Sequence, residues 1–267
     1  MNTHVTKQFV RIGARLKLAD RPSGRRRMVS GIALDVLKDR EGEFFELALS
    51  APSKSELVVL DVQPAERHLL LMVREGTARS KFLCGHDERH WFVAGVPEVA
   101  PANTVRQAME ALKPAAVRAA QQRLAVPTRV RNRRKTAAYI RQGEWFFVPV
   151  PGLKVDSMLV LHNEPLTRST GGKPHWAEFC YRKAGEQVYV CSRFPHGLTG
   201  AQYARLLARD PEARGWGWQI LRRNPEVYVT GRIRHQDHAT IKLREWYRVW
   251  MSRENESAAM RHVAFLD

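Results

Sequence analysis

Six short β-prone runs follow one another between Arg27 and Val96, and turn-forming residues separate each run from the next. The connections, among them DREGE, SAPSKSE and EGTAR, are rich in Gly, Pro, Asp and Ser. Short runs joined by such turns are typical of β-hairpins. The sequence therefore predicts an antiparallel β-meander. Its expected strands are Val29–Leu37, Glu43–Leu49, Leu57–Gln63, His68–Arg74, Lys81–Cys84 and His90–Val96.

After Pro101 the apolar residues recur every three or four positions, which predicts a helix whose N-terminal cap is Asn103 or Thr104. Pro114 lies inside the pattern, so we expect either a kink or two shorter helices. Several basic residues fall largely outside the apolar stripe, and the helix should therefore be amphipathic with a basic outer side. These residues are Arg106, Lys113, Arg118 and Arg123.

The second half of the chain is again β-prone, with one clear helical pattern at Leu198–Ala208 that begins near Thr199. A chain of 267 residues is long enough for two domains. The sequence therefore predicts an α+β protein in which a central helix and a basic connecting arm join two antiparallel β-rich domains. The expected boundaries are 1–102 for the N-terminal β-meander domain, 103–141 for the helix and arm, and 142–267 for the C-terminal α+β domain.

The chain carries 44 Lys and Arg against 27 Asp and Glu, which gives a formal net charge of +17 and a pI near 10.4. A field of this strength favours a polyanionic partner, because neutralising phosphates releases their condensed counterions. Nucleic acid is the first partner to consider, and an anionic membrane surface is the second.

The positive charge is densest between Pro127 and Arg141, a stretch with six basic residues and no acidic one. Residues 104–141 together contain ten Lys or Arg and one acid, Glu110, for a net charge of +9. Because arginine binds phosphate through its bidentate fork, this arm is predicted to contact nucleic acid. The alternative interpretation is a solvated charge run that keeps the protein soluble. The predicted contact residues are Arg129, Arg131, Arg133, Arg134, Lys135 and Arg141.

Aromatic residues follow the arm and could in principle stack on unpaired bases. Strand alternation must bury one face of this run, however, so Trp145 and Phe147 are predicted to lie in the core. RNA or a single strand is preferred over duplex DNA, because the chain has no helix-turn-helix, zinc-finger or basic-zipper pattern.

The run Trp176–Phe194 reads as a hairpin with a two-residue Gly-Glu loop, which would place two Cys and two His on one face. These are ligand types for tetrahedral zinc, but His175 and Cys180 would lie roughly 16 Å apart along an extended strand. The favoured interpretation is a cysteine pair beside an ion pair between Glu178 and Arg193. The weak metal-ligand candidates are Cys180, Cys191, His175 and His196.

Two expected hairpin tips combine histidine with carboxylates: Gly85–Glu88, with His90 nearby, and His235–His238. Such groups can form simple turns, or they can support acid-base or metal chemistry. An alternative function is therefore a metal-dependent nuclease or other hydrolase, with His235, Asp237 and His238 as candidate catalytic residues and His175 or His86 as helpers. Arg232 and Arg234 flank the second tip and are candidate phosphate contacts.

Standard catalytic and targeting signals are absent from the sequence. There is no GxSxG elbow, GxGxxG fingerprint, HExxH helix or complete Walker A motif, so whether the protein is an enzyme is left open. No cofactor is predicted beyond a possible divalent metal. Without a signal peptide, a membrane span or a CxxC pair, we expect an intracellular protein, cytoplasmic or nucleoid-associated. A third hypothesis is a structural adaptor within a nucleoprotein complex.

Overall fold

The computed structural model describes residues 2–23, 31–167 and 173–256. Within these ranges the protein is rich in β-strands, which form several sheets, and it contains four α-helices, so the expected α+β class is confirmed. No described helix is long and apolar enough to cross a membrane.

The helices and strands are numbered separately in chain order. The helices are α1 (Asn2–Arg11), α2 (Val105–Ala111), α3 (Ala115–Arg123) and α4 (Gly200–Arg209). The strands of the first part are β1 (Leu16–Ala19), β2 (Ile32–Asp39), β3 (Gly42–Leu49), β4 (Ser55–Gln63), β5 (His68–Glu75), β6 (Ala78–Asp87), β7 (His90–Val96) and β8 (Ile140–Gln142). Those of the second part are β9 (Trp145–Pro149), β10 (Leu161–Leu166), β11 (His175–Lys183), β12 (Glu186–Cys191), β13 (Phe194–Thr199), β14 (Gln219–Arg223), β15 (Glu226–Arg234) and β16 (Ile241–Met251).

The chain divides into two compact units. Among the described residues, unit 1 contains those up to Phe146 and those from Trp250 to Glu256, and unit 2 contains Phe147–Val249. The helical and basic stretch at 103–141 belongs to unit 1.

The six expected strands of unit 1 correspond to β2–β7, but they pair in two sheets rather than in one meander. Strands β4-β5-β6-β7 form an antiparallel sheet, while β3 lies between β2 and β1 in a second sheet. The short 3₁₀ turn Pro52–Lys54 separates β3 from β4. Strand β1, which pairs parallel with β3, occupies the free side of β3.

Both faces of β5 are buried, because unit 1 has a core on each side of this strand. Leu69 and Leu71 belong to a cluster that includes Phe9 of α1, whereas Leu70 belongs to a cluster with Val105 and other residues of α2. Alternate side chains of a strand point to opposite faces, so the continuous apolar run HLLLMV suits a strand covered twice.

The helical segment is interrupted where the sequence predicts. Helix α2 begins after Thr104, whose side chain forms a capping box with Gln107, and α3 begins directly after Pro114. Proline lacks the amide hydrogen that an uninterrupted helix would need at this position. The expectation of two helices is confirmed.

The hairpin expected at Trp176–Phe194 is wrong. In unit 2 the strand order is β10-β11-β15-β16-β9, so β11 has a partner on each side and no free edge for β12. Strand β12 instead lies between β13 and β14 in a separate three-stranded sheet. Helix α4 follows β13, and the expectation that it begins near Thr199 is confirmed. Thr199 is its N-cap and forms a second capping box with Gln202.

Candidate functional site

The basic segment, defined as Pro127–Arg141, is fixed to unit 1 by hydrogen bonds to its backbone. The carbonyl oxygen of Arg131 accepts from Lys113 Nζ at 2.9 Å, from Gln121 Nε2 at 2.7 Å and from the Tyr139 hydroxyl at 2.6 Å. All three donor side chains are at most 2% exposed. The segment is therefore an ordered part of unit 1 and not a flexible arm.

Lys113 is the residue whose position differs most from expectation, since it was predicted to lie on the basic outer side of the helix. Its ammonium group is buried, where it pairs with Glu110 at 2.7 Å and with Gln121 at 3.2 Å. Burial lowers the pKa of this lysine, and the Glu110 carboxylate opposes that shift. The prediction fails because α2 ends at Ala111, so Lys113 lies in the break between two helices.

Three of the six predicted contact residues are held by other groups of unit 1. Arg131 donates from Nε to the Val126 carbonyl at 2.8 Å. Arg134 pairs with Asp87 and, at 2.9 Å, with Glu88, and Arg141 reaches Asp87 at 3.2 Å. Their charge is largely committed to holding the segment in place.

The other three residues of the basic segment, Arg129, Arg133 and Lys135, are exposed. Among the residues that the structure describes, none of them forms an ion pair with a carboxylate. We call them the exposed cations. Additional exposed arginines on the preceding helices are Arg106, Arg118 and Arg123.

The aromatic residues at and beyond the end of the segment are core residues. Tyr139, Trp145 and Phe147 are at most 2% exposed, and Tyr139 packs edge-on against Phe146 with ring centroids 5.2 Å apart. Burial raises the pKa of Tyr139 to about 12. These rings cannot stack on bases without unfolding, and the expectation that Trp145 and Phe147 are core residues is confirmed.

In unit 2 the fold places the second tip beside His175, which lies sixty residues before His235 in the chain. Strand β11 pairs with β15 so that Trp176 lies opposite Arg234, which brings His175 beside His235. The ligand nitrogens of His175, His235 and His238 all lie within 4.8 Å of one another. His175 is 1% exposed, whereas the other two are half-buried. We call these three residues the histidine cluster.

A cavity of about 380 Å³ opens beside the cluster, and its walls carry both positive charge and an aromatic surface. Lys173, Trp176, Arg234 and His235 are among its lining residues. The Lys173 ammonium pairs with Asp237 at 2.7 Å, so this carboxylate restrains a cavity lysine. Trp176 was not a candidate from sequence, because the β11–β15 pairing that brings it to the tip leaves no local signal.

The remaining candidate phosphate contact, Arg232, is paired with an acid. Its guanidinium group binds Glu178 at 3.1 Å, and this hydrogen bonding lowers the pKa of the carboxyl group. Glu178 was expected to pair with Arg193, whose guanidinium carbon instead lies 4.0 Å from the Trp216 ring centroid. The expected ion pair is wrong, because β11 and β12 are in different sheets.

The same separation removes the register that would have placed Cys180 opposite Cys191. Cys180 pairs across the sheet with Leu161 and Val229, and Cys191 lies in the other sheet. Both thiols are buried and free of disulfides. His196 is exposed on β13.

The first tip is held within unit 1 by surrounding side chains. Asp87 accepts from the two arginines of the basic segment, His86 packs edge-on against Trp91 at 4.9 Å, and His90 Nδ1 lies 2.6 Å from Glu43. Burial, with a smaller effect of nearby Arg67, lowers the pKa of His86. These contacts explain why His and Asp residues occur at the first tip without any catalytic or metal-binding role.

Comparison of the chain with protein-family models, with curated proteins and with solved structures gave no match. Its function must therefore be argued from its own residues.

Proposed function

We propose that the protein binds nucleic acid through the exposed cations Arg129, Arg133 and Lys135, with RNA or a single strand preferred over duplex DNA. The observation that carries the proposal is that these three side chains project into solvent, without a carboxylate partner among the described residues, from a backbone fixed by Lys113 and Tyr139. The net charge of +17 supports it by attracting any polyanion.

The fixed backbone favours binding for an energetic reason. Ordering a flexible arm on a ligand consumes part of the interaction free energy, whereas a segment that is already ordered avoids that loss. The guanidinium groups of Arg129 and Arg133 can then meet phosphates with only their own side chains left to order. Held arginines such as Arg134 would contribute less, because contact with phosphate requires them to leave their carboxylates.

The test is salt-dependent binding of a fluorescent poly-uridine strand to wild type and to the variant Arg129→Gln/Arg133→Gln/Lys135→Gln. We expect affinity to fall by roughly 10- to 100-fold at moderate salt, and the slope of log K against log salt to decrease in magnitude by about 2, since each lost phosphate contact contributes about 0.7 for single strands. Thermal unfolding should change little, because exposed cations contribute little to folding.

A matched control removes the same charge elsewhere in unit 1. The variant Lys38→Gln/Arg40→Gln/Lys54→Gln changes three exposed cations outside the basic segment. It should retain most of the affinity and nearly all of the salt slope. Equal losses in the two variants would overturn the assignment to the basic segment, and a wild-type affinity that ignores salt would overturn phosphate binding altogether.

A second candidate function is the metal-dependent nuclease or other hydrolase. One observation favours it: His175, His235 and His238 lie together beside a cavity that also presents Lys173 and Arg234. Histidine-bound metal can activate water, and cations near it can hold a phosphate. Metal-dependent cleavage of the bound strand, lost in His238→Gln, would support this function, whereas binding without cleavage in Zn²⁺, Mn²⁺ or Mg²⁺ would oppose it.

Two further expectations accompany the proposal. The division of the chain into two compact units supports the two-domain organisation, and limited proteolysis that releases stable fragments would test it. Intracellular location and membership of a nucleoprotein complex are supported by the charge alone. Nucleic acid that co-purifies with the native protein, identified by sequencing, would test both.

A further inference from the structure

We propose that the histidine cluster of unit 2 binds a divalent transition metal ion, zinc in the first instance, through one ring nitrogen of each of His175, His235 and His238. This inference is independent of nucleic-acid binding by unit 1, since the residues involved are different.

The positions of the three residues in the fold support a built site. His175 begins β11, whereas His235 and His238 lie in the short connection between the paired strands β15 and β16, so one strand and one connection supply the ligands. The connection is anchored by a paired strand at each end, which limits how far His235 and His238 can move. The buried His175 forms the floor of the site, and the half-buried pair forms its outer side.

The distances are compatible with one ion after a small rotation of the rings. Zinc–nitrogen bonds are about 2.0–2.1 Å, so tetrahedral ligand nitrogens lie about 3.4 Å apart. Here the ligand nitrogens lie within 4.8 Å of one another, and the rings of His175 and His235 are stacked with centroids 4.1 Å apart. Metal binding therefore requires the His175 ring to turn out of the stack, while the His235 ring keeps its present orientation.

Hydrogen bonds of His235 indicate which of its nitrogens would bind. Its Nε2 donates to the Lys173 carbonyl at 3.2 Å, while Nδ1 accepts from the Asp237 amide at 3.1 Å. Metal-ligating histidines commonly donate their other ring nitrogen to a backbone carbonyl, which fixes the tautomer. The pattern leaves Nδ1 of His235 as the ligand atom, with the metal replacing the Asp237 amide as its partner.

The donor set decides the class of metal. Three imidazole nitrogens suit zinc, nickel, copper and cobalt, whereas magnesium and calcium prefer oxygen ligands. Three protein ligands also leave a fourth tetrahedral position for water or for an anion. His235 lines the cavity together with Lys173 and Arg234, so an anionic oxygen, such as that of a phosphate, is the ligand this position would accept.

The experiment measures zinc binding to full-length protein that has been stripped of metal with a chelator. Isothermal titration with ZnCl₂ should show one tight site in wild type, and MgCl₂ should not compete for it. The variant His238→Gln should lower the zinc affinity by at least about 100-fold, because it removes a direct ligand. The matched control is His196→Gln, an exposed histidine of unit 2 outside the cluster, which should bind zinc as wild type does.

X-ray absorption of the zinc-loaded wild type gives a second measurement that does not depend on any variant. The proposal requires three imidazole ligands and no sulfur. Sulfur at the zinc would instead assign the ion to one of the three free cysteines and would overturn the proposal. It is equally overturned if wild type takes up no zinc, or if a folded His238→Gln variant binds zinc as tightly as wild type.

Discussion

The two histidine-and-aspartate tips contain nearly the same residue types but have opposite surroundings. In the first, two arginines of the basic segment form ion pairs with Asp87, and its side chain is only 13% exposed. In the second, Asp237 pairs with one exposed lysine at the edge of a cavity, and the neighbouring histidines meet His175. The first tip has a structural role within unit 1, whereas the second tip is a candidate metal-binding site.

The difference shows that the residues packed against a turn, and not the residues of the turn alone, determine whether the turn can form a binding site. The first tip faces a cationic segment of its own unit, so its carboxylate is used for folding. The second tip faces the start of β11, which contributes a third imidazole. A motif of His and Asp in a sequence is therefore compatible with either role.

The largest expected effect in the comparison comes from removing the aspartate charge at the first tip. Asp87→Asn should lower the free energy of unfolding by about 2 kcal/mol, because it leaves the half-buried Arg134 and Arg141 without their shared carboxylate. The figure is below the usual cost of breaking a fully buried pair, since both arginines retain contact with solvent. Urea unfolding followed by circular dichroism measures it.

The matched change at the second tip provides the control. Asp237→Asn removes one exposed ion pair with Lys173 and should cost less than about 1 kcal/mol. If the two variants are destabilised equally, the distinction between a structural tip and an open tip is wrong.

A smaller loss of stability is expected when the basic segment, which pairs with Asp87 of the first tip, loses one of the hydrogen bonds to its backbone. Tyr139→Phe removes a hydroxyl that lies 2.6 Å from the Arg131 carbonyl and 3.0 Å from the Arg133 carbonyl. The loss should be about 1 kcal/mol, the usual net contribution of a buried hydrogen bond, and trypsin should cut the basic segment faster. Unchanged proteolysis and stability would mean that Lys113 and Gln121 hold the segment without Tyr139.

The smallest effect is a pH dependence of the first tip. His68 packs against Gly85 at the start of the tip, and burial lowers its pKa, while its bond to the Glu66 carbonyl opposes that shift. A histidine with a lowered folded pKa takes up a proton more readily when unfolded. Its contribution is therefore fully present above the ordinary value of 6.5 and is lost as pH falls below it.

Urea midpoints measured between about pH 7.5 and 5.5 should accordingly decrease for wild type. The decrease should be smaller in His68→Gln, which has no imidazole to protonate. An identical pH slope in the two proteins would exclude His68 as a contributor.

Local sequence patterns predicted the secondary structure well, because each signal acts over a few residues. Turn-forming residues marked the strands β2–β7, Pro114 divided the helical segment, and Thr199 began α4. Helix α1 was missed although a signal was present: Val5, Phe9 and Ile12 recur at helical spacing, and all three are buried.

The candidate site was only partly predictable. The hydrolase hypothesis named His175 as a helper of the second tip, yet the hairpin register suggested His196 as its neighbour. Sequence cannot decide between such pairings, because strand partners are chosen by competition among edges across the whole sheet. Here β10 and β15 occupy both edges of β11, which leaves β12 to a different sheet.

The sequence by itself determined the α+β class, the strong positive charge and most helix and strand positions, since these depend on composition and short-range periodicity. Only the tertiary structure decided which cations are free and which are held, and which histidines meet. The contact of buried Lys113 with the Arg131 carbonyl and the ion pair of Asp87 with Arg134 both join residues distant in the chain. Such contacts follow from long-range packing, which no local pattern encodes.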